Sequence, residues 1–443
     1  MEEQFENYKE GFLDNLKTLI SFKSYLKKIN NYPNKEQLNA LKFMINLGEK
    51  EGFKTYFHPK GYYGYIEYGK GKKMVGILGH IDVVDPGDLK KWKSNPFEMK
   101  IEGNYLIGRG TIDDKGPMML SFYVLKALKD SKIKLNKRIR LILGTDEETL
   151  WRGINKYIEN EEKPEMGFSP DATFPAIYGE KGLLQWKVEE KLNNPNFKIY
   201  GGSSVNAVPD KAIYQGDNIK KIEENIKKYD FEYKKIGKNE IELIGKSEHA
   251  MLADKGKNAI TRLCICVNEF VDSKLINFIA NEVDLEAKGK KLFDKEIKDK
   301  ETGSITLNIG KLGFKNNILT AWFDNRLPIT ITLKEIEKLI TEKLKKYNLK
   351  YERFDWLKSI YADKDSFVIK TLMNSYKKIT NKNDKPYISG GATFARSMDN
   401  IFAFGPFDDS EINLEHQPNE KINIKLFEKA FYIYVDALKD LAK

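Results

Sequence analysis

A histidine and an aspartate follow a short apolar run, in the order Gly79-His80-Ile81-Asp82. The apolar residues at 75–78 predict a buried strand, so His80 and Asp82 are expected where that strand ends. The carboxyl ends of strands are where open α/β sheets usually place their chemistry. An imidazole and a carboxylate at that edge therefore define the first candidate site.

Further ionisable residues are Asp113 just before a predicted helix, Glu147-Glu148 after a predicted strand, Asp171 after Ser169-Pro170, and His416 near the end of the sequence. Each alone is more often a solvated loop charge or an ordinary polar histidine. Divalent ions in hydrolytic sites bind neutral imidazoles and carboxylates, and two ions close together need one carboxylate that bridges them. The set predicts a site for two divalent ions, Zn²⁺, Mn²⁺ or Co²⁺. Its candidate metal ligands are His80, Asp113, Glu148, Asp171 and His416.

Two further acids have candidate roles beside these ligands. Asp82 can accept the second N–H of the His80 ring and so fix its tautomer. Glu147 lies next to Glu148 in a predicted loop, where one carboxylate can bind metal while the other takes a proton from the attacking water. The alternative for Glu147 is an ordinary charged loop at the end of a strand.

The elements that must position these residues alternate between strands and helices. Helices are predicted at 3–27 and 35–52, strands at 54–57, 62–68, 75–78 and 138–144, and a helix with Pro117 at its first position. This alternation favours an α/β domain with a mixed, mainly parallel sheet. From residue 183 onward the pattern changes to half-exposed strands and helices with few chemically suggestive residues. We therefore expect residues 1–182 and 363–443 to form a metal-binding catalytic domain and residues 183–362 to form an inserted α+β lid domain.

Length and composition exclude several other classes of protein. The 443 residues exceed one ordinary core, and a 41% hydrophobic content excludes a wholly disordered chain. The net charge of +10 comes from 75 basic and 65 acidic residues without a nucleic-acid-binding module. No apolar run approaches the roughly 18 residues of a membrane helix, so a cytoplasmic protein without nucleic-acid or membrane partners is expected. Cys264 and Cys266 are expected to be buried thiols, since they lack nearby His or Cys partners.

At this point the motifs match a known family. The chain resembles the co-catalytic two-metal peptidases and deacylases related to carboxypeptidase G and aminoacylase, and among them the PepV-type dipeptidases (Xaa-His dipeptidases, carnosinase-like). The resemblance covers nearly the whole chain. It is carried by Gly79-His-Ile-Asp-Val-Val84, Gly108-Arg-Gly-Thr-Ile-Asp-Asp-Lys-Gly-Pro117, Gly144-Thr-Asp-Glu-Glu148, Gly167-Phe-Ser-Pro-Asp171, Gly179-Glu-Lys-Gly182, Gly245-Lys-Ser-Glu-His249, Gly390-Gly391 with Thr393, and Glu415-His-Gln-Pro-Asn-Glu420.

The resemblance implies a zinc-exopeptidase-like catalytic domain and a role for each candidate residue. Asp113 would bridge the metal ions, with His80 and Asp171 on one ion and Glu148 and His416 on the other. Asp82 would orient His80, and Glu147 would be the general base. A cis peptide between Asp113 and Asp114 is also implied.

The lid roles rest on the resemblance alone. His249 would contact the scissile carbonyl oxygen and stabilise the oxyanion, while Asn206, Arg326 and Gly391 would bind the carboxylate of the substrate. The length of the insertion resembles that of monomeric relatives, so a monomer is expected. The segment Ala250-Met-Leu-Ala-Asp254 departs from the small residues and proline usual in the family, which leaves side-chain preference open.

The predicted function is a two-metal dipeptidase that hydrolyses dipeptides with a free C-terminal carboxylate. The alternative is an N-acyl amino acid deacylase or desuccinylase with the same metal centre. A non-catalytic peptide-binding protein on the same scaffold is a third possibility, and the intact ligand set with Glu147 argues against it.

Overall fold

The computed structural model describes residues 2–443, with side chains from Phe5 onward. It divides into two compact units. The first unit comprises Met1–Tyr178, Ala362–Tyr387 and Thr393–Lys443, and the second comprises Gly179–Tyr361 and Ile388–Ala392. The sequence-based boundaries left residues 388–392 outside the insertion, whereas the structure groups this segment with the second unit. The assignment of the two units as a catalytic domain and a lid stays a prediction.

The first unit is built on a mixed sheet whose centre is parallel. Strand Met74–His80 runs parallel to Arg138–Gly144 on one side and to Met166–Ser169 on the other. Antiparallel strands complete both edges, which confirms the predicted α/β class with a mixed sheet. The strands follow the order Lys54–Phe57, Tyr63–Tyr68, Arg138–Gly144, Met74–His80, Met166–Ser169, Ile401–Ala403 and Ile177–Glu180, of which the last strand begins in this unit.

The remaining elements of the first unit surround this sheet. A three-stranded sheet joins Lys421–Asn423, Tyr105–Ile107 and Lys100–Glu102, and Pro406–Phe407 pairs with Ala172–Thr173. Strand Tyr387–Ser389 begins in this unit. The α-helices are Glu2–Ser21, Lys35–Lys50, Lys115–Asp130, Arg152–Asn160, Phe367–Thr380 and Ile424–Leu441, and the 3-10 turns are Ile29–Asn31, Leu89–Lys91 and Phe394–Ser397.

The register of the parallel strands explains why the predicted site residues come together. His80 pairs with Gly144, so both central strands end at the same edge of the sheet. Glu147 and Glu148 follow the second strand after a short turn, and Asp171 follows strand Met166–Ser169. Parallel strands with both faces covered are apolar throughout, and every residue of Met74–His80 is buried.

Helix Lys115–Asp130 follows the loop that carries Asp113. The sequence placed Pro117 at the first helical position, but the helix begins two residues earlier, at Lys115. Pro117 still lies within the first turn, where a missing N–H costs no intrahelical hydrogen bond. Helices Glu2–Ser21 and Ile424–Leu441 pack near it, with the rings of Phe12 and Phe427 5.3 Å apart. Among the helices of residues 2–443, none combines the length and the apolar character needed to cross a bilayer.

The second unit contains an antiparallel sheet with helices. The strands follow the order Tyr233–Gly237, Glu240–Ile244, Lys211–Gln215, Lys198–Gly201, Thr306–Lys315, Ile318–Leu327, Gly182–Lys191 and Tyr351–Leu357. Short strands are Lys298–Asp299, Gly303–Ser304 and Ile360–Tyr361. The helices are Ile219–Lys228, Ala259–Val267, Lys274–Glu282, Lys290–Phe293 and Leu333–Lys345, with 3-10 turns Ala250–Lys255 and Asn268–Phe270.

The core of the second unit lies between this sheet and its helices. Trp186 stacks on Phe323 with ring centroids 3.9 Å apart. Cys264 and Cys266 are buried in the same core as free thiols, which confirms the expectation from their apolar surroundings. Helix Lys274–Glu282 and strand Lys211–Gln215 were absent from the sequence-based prediction, because short elements give weak periodicity.

Gly79 leaves the space that the residues around His80 need. A Cβ atom at this position would lie 2.2 Å from Asp114 Oδ2 and 2.3 Å from Met118 Sδ. Asp114 Oδ2 accepts the backbone N–H of His80 at 3.1 Å, so a larger residue would disturb that contact.

We expect Gly79→Ala to lower the free energy of unfolding by about 1–3 kcal/mol, because the added methyl group has no space. Urea unfolding of the full chain measures this change. Gly313→Ala is the matched control, since nothing lies within 4 Å of its added carbon, and its effect should stay under about 0.5 kcal/mol. Equal losses in the two variants would contradict the packing argument.

Candidate metal centre

His80 and His416 approach the same aspartate from two sides. His80 Nε2 lies 3.0 Å from Asp113 Oδ1. His416 Nε2 lies 2.7 Å from Asp113 Oδ2. The two oxygens of one carboxylate thus face two different imidazoles, as a bridging ligand requires.

Each histidine also faces a second carboxylate. Asp171 Oδ2 lies 3.7 Å from His80 Nε2, and Glu148 Oε2 lies 3.2 Å from His416 Nε2. The structure therefore brings all five predicted ligands together in two triads that share Asp113. These triads are His80–Asp113–Asp171 and Asp113–Glu148–His416, and the donor atoms within each lie within 4.8 Å of one another.

The donor set fits divalent cations. It offers only imidazole nitrogens and carboxylate oxygens, which suit Zn²⁺, Mn²⁺ and Co²⁺. Glu148 Oε1 is buried and has no hydrogen-bond partner within the described chain. Buried polar atoms of this kind are uncommon unless another group satisfies them, and a cation in the triad of Glu148 would do so.

The electrostatics of the cluster also favour cations. Burial raises the pKa of Glu148 and of Asp171 to about 7, and the nearby Asp113 carboxylate adds to both shifts. Although burial opposes a charged ring, contacts with carboxylates raise the pKa of His80 and of His416 well above the usual range. Cations among these groups would favour the ionised carboxylates and the neutral imidazoles.

Asp113 sits in a loop of unusual backbone geometry. The peptide bond between Asp113 and Asp114 is cis, as the resemblance implied. Asp114 is fully buried and accepts the backbone N–H of His80 at 3.1 Å. Sequence reasoning gave Asp114 no role, because an acid that accepts a main-chain amide has no sequence signature of its own.

Asp82 contacts two parts of the site. The Nδ1 atom of His80 lies 3.0 Å from the backbone oxygen of Asp82 and 3.5 Å from its Oδ1. The same carboxylate accepts the backbone N–H groups of Glu147 and Glu148, each at 3.2 Å. Asp82 thus lies where it can orient the His80 ring, and it also holds the turn that carries the two glutamates, which the sequence did not indicate.

Several side chains fix the turn that carries Glu147. Trp151 donates its indole N–H to the Glu147 carbonyl at 2.8 Å. The neighbouring Asp146 is buried and pairs with Arg152 at 2.7 Å. Burial raises the pKa of Glu147 well above its usual range, and the charges of Asp171 and other carboxylates of the cluster add to the shift.

The predicted substrate-binding residues all lie in the second unit. Arg326 donates to the Gly390 carbonyl at 2.9 Å and pairs with Asp324 at 2.7 Å, so it lies beside the loop that contains Gly391. Asn206 accepts the N–H of Ala250 at its backbone oxygen, 2.8 Å away. His249 is half-buried and directly precedes the 3-10 turn Ala250–Lys255, where its Nδ1 accepts the N–H of Met251 at 3.3 Å.

Comparison with known proteins gives consistent matches over nearly the full length. The profile of peptidase family M20/M25/M40 matches residues 76–440. The "Putative dipeptidase YtjP" of Bacillus subtilis is 35% identical, with 92% of this chain and 91% of that protein covered. A "Putative dipeptidase" of Staphylococcus epidermidis is 34% identical over 90% of this chain and 89% of its own length. Human carnosine dipeptidase 1 shares the fold with a TM-score of 0.66 and 14% identity, over 100% of this chain and 98% of that structure.

Metal affinity should depend on pH, because protons compete for the ligands. A carboxylate with a pKa of about 7, as for Glu148 and Asp171, is mostly ionised at pH 8 and mostly protonated at pH 6. Since the ionised form binds the cation, we expect affinity to fall at least about tenfold between these values, with proton release on binding. Isothermal titration with Zn²⁺ or Mn²⁺ in two buffers of different ionisation enthalpy measures both quantities. His58→Ala should titrate like the wild type, and an affinity that does not change with pH would contradict the expectation.

Proposed function

This chain belongs to peptidase family M20/M25/M40, and from that premise we propose that it hydrolyses the peptide bond of dipeptides with a free C-terminal carboxylate. As a member of this family it is a metallopeptidase and a hydrolase. The observation that carries the proposal is the arrangement of Asp113, whose two carboxylate oxygens face His80 and His416 at 3.0 and 2.7 Å. The substrate class is supported by the dipeptidase names of relatives that cover about nine-tenths of the chain.

Five side chains are proposed to hold two divalent ions. Asp113 would bridge them, with His80 and Asp171 on one ion and Glu148 and His416 on the other. Two such ions polarise the scissile carbonyl and make the attacking water more acidic. The nitrogen and oxygen donors support Zn²⁺ or Mn²⁺, with Co²⁺ as a further candidate.

Glu147 is proposed as the general base. It would accept a proton from the attacking water and then donate that proton to the amine nitrogen as the C–N bond breaks. Its place directly beside the proposed ligand Glu148 supports this role, because one carboxylate of the turn can hold an ion while the other accepts a proton from the water. Asp82 supports it indirectly, since its carboxylate fixes the backbone of the Glu147 turn.

Residues of the second unit are proposed to recognise the substrate. Arg326 and Asn206, with the Gly391 loop, would bind the substrate carboxylate, and His249 would stabilise the oxyanion. The hydrogen bond of Arg326 to the Gly390 carbonyl supports a shared role for the guanidinium and this loop. The proposal includes a monomeric, cytoplasmic enzyme, on the basis of the resemblance to monomeric dipeptidases.

The proposed substrate class can be tested directly. We expect the full chain, supplemented with Zn²⁺ or Mn²⁺, to cleave members of a dipeptide library. Dipeptides with an amidated C-terminus should react far more slowly, because they lack the charge that the guanidinium would bind. Hydrolysis followed by ninhydrin or mass spectrometry measures both sets. Faster turnover of N-acyl or N-succinyl amino acids would reject the dipeptidase proposal in favour of a deacylase, and no metal-dependent turnover at all would favour a binding protein.

The role of Glu147 is tested by Glu147→Gln. This variant keeps the size of the side chain but cannot accept the proton, so kcat should fall by about 10²- to 10⁴-fold. Its metal content, measured by elemental analysis, should match that of the wild type because Glu147 is not a proposed ligand. Glu159→Gln, on the exposed surface of helix Arg152–Asn160, should leave both quantities unchanged. Full activity in Glu147→Gln would reject the assignment.

A further inference from the structure

We propose that Glu420 is a positioning residue that clamps the loop of Asp113 to the loop of His416, and so sets the affinity of the metal ion held by Glu148 and His416. This inference rests on the proposed two-metal function. In the sequence Glu420 is the last residue of a motif, and no role was predicted for it. Its side chain is fully buried, and among the described residues it forms a hydrogen bond with one proposed metal ligand, through the backbone N–H of Asp113.

The Glu420 carboxylate collects donors from one short loop. It accepts the backbone N–H groups of Gly110 at 3.0 Å and Ile112 at 2.8 Å, and a longer contact of 3.4 Å comes from Asp113. Arg109 completes the set with a charge-assisted hydrogen bond of 2.7 Å to the other oxygen. A buried carboxylate with this many donors holds its partners in one geometry.

A short β-ladder leads into this clamp. Strand Tyr105–Ile107 pairs with Lys421–Asn423, and the next hydrogen bond runs from Gly108 N–H to the backbone oxygen of Glu420 at 3.0 Å. Beyond that point the loop leaves the ladder, because Gly110 has a φ of +92° that side-chain-bearing residues rarely adopt. Beyond the ladder, the Glu420 side chain accepts the backbone N–H groups of Gly110 and Ile112, which no strand partner accepts. The register between the two loops is therefore fixed up to Asp113.

The same segment also carries His416. Asn419 holds it from the other direction, since its side chain accepts the N–H of Lys93 at 2.7 Å and donates to the Lys91 carbonyl at 2.9 Å. His416 itself has a φ of +61°, a conformation that its surroundings must maintain. Glu420 thus connects two ligands that are both carried by loops.

The two proposed metal sites differ in how much they depend on this connection. His80 is the last residue of a central strand, and Asp171 follows another strand of the same sheet. Glu148 likewise follows a central strand, Arg138–Gly144, whereas His416 lies outside helices and strands on the segment that ends at Glu420. Loss of the contacts of Glu420 would therefore lower the affinity for the ion at Glu148 and His416 more than the affinity for the ion at His80 and Asp171.

The test is Glu420→Gln in the full chain. Glutamine keeps the length of the side chain but replaces one acceptor oxygen with an NH₂ group, so it cannot serve both Arg109 and the backbone amides. We expect the second Zn²⁺ or Mn²⁺ ion to bind at least about tenfold more weakly while the first stays within about threefold, since groups that orient ligands typically contribute 10- to 100-fold in affinity. Hydrogen exchange should accelerate at the amides of Gly110 and Ile112 in the metal-free protein. Excess metal should restore much of the lost activity.

Glu190→Gln is the matched control. Glu190 also accepts two backbone amides, from Lys274 at 2.9 Å and Leu275 at 3.0 Å, but it belongs to the second unit, which contains none of the proposed metal ligands. It should change local hydrogen exchange and leave both metal affinities unaltered. If Glu420→Gln does not fold, Glu420→Asp, which retains the charge on a shorter side chain, should show the same selective loss.

The positioning role of Glu420 would be rejected if a folded Glu420 variant bound both metal ions as tightly as the wild type. An equal loss of affinity for the two ions would also reject it. A wild-type protein that binds two ions and cleaves no dipeptide would instead reject the proposed substrate, with the metal titrations still deciding the role of Glu420.

Discussion

The site depends on one constraint: several buried carboxylates lie close together around Asp113, and their negative charges repel one another. Burial, together with the charge of Asp113, raises the pKa of Glu148 and Asp171 to about 7, so the protein holds these acids where their charge is unfavourable. The two imidazoles compensate part of that charge through Asp113. Divalent cations between the same atoms would neutralise more of this negative charge. The cluster is therefore well suited to bind metal ions.

A second layer of carboxylates holds the first in place through main-chain amides. Asp114 accepts the N–H of His80, Asp82 accepts those of Glu147 and Glu148, and Glu420 accepts those of Gly110 and Ile112. Each of these acids binds backbone amides of the segment that carries a proposed ligand or the proposed base. Carboxylates can do this because an ionised oxygen accepts several hydrogen bonds at once. These hydrogen bonds allow loops to hold their side chains in defined positions, as strands do.

The division of labour between strands and loops follows from the parallel sheet. Its strands end at one edge, so His80 and the turn after Gly144 become neighbours through register alone. Asp113 and His416 have no such support, and they depend on the cis peptide loop and on the segment that ends at Glu420. The sheet therefore positions one side of the site, and carboxylates bound to loop amides position the other.

The sequence by itself determined the chemistry of the cluster. The apolar run before His80, the strand before Glu147 and Glu148, and the helix after Asp113 are local features, so hydrophobic periodicity and residue type were enough to find these candidates. Periodicity also predicted the α/β class and the change of character near residue 183. Only the tertiary structure decided that His416 lies 2.7 Å from Asp113, that Asp82 holds a turn 65 residues away, and that Glu420 receives amides from a loop some 310 residues earlier. The reason is physical: hydrogen bonds to backbone amides depend on how distant segments pack, and the identity of a single acidic residue does not reveal which amide it will meet.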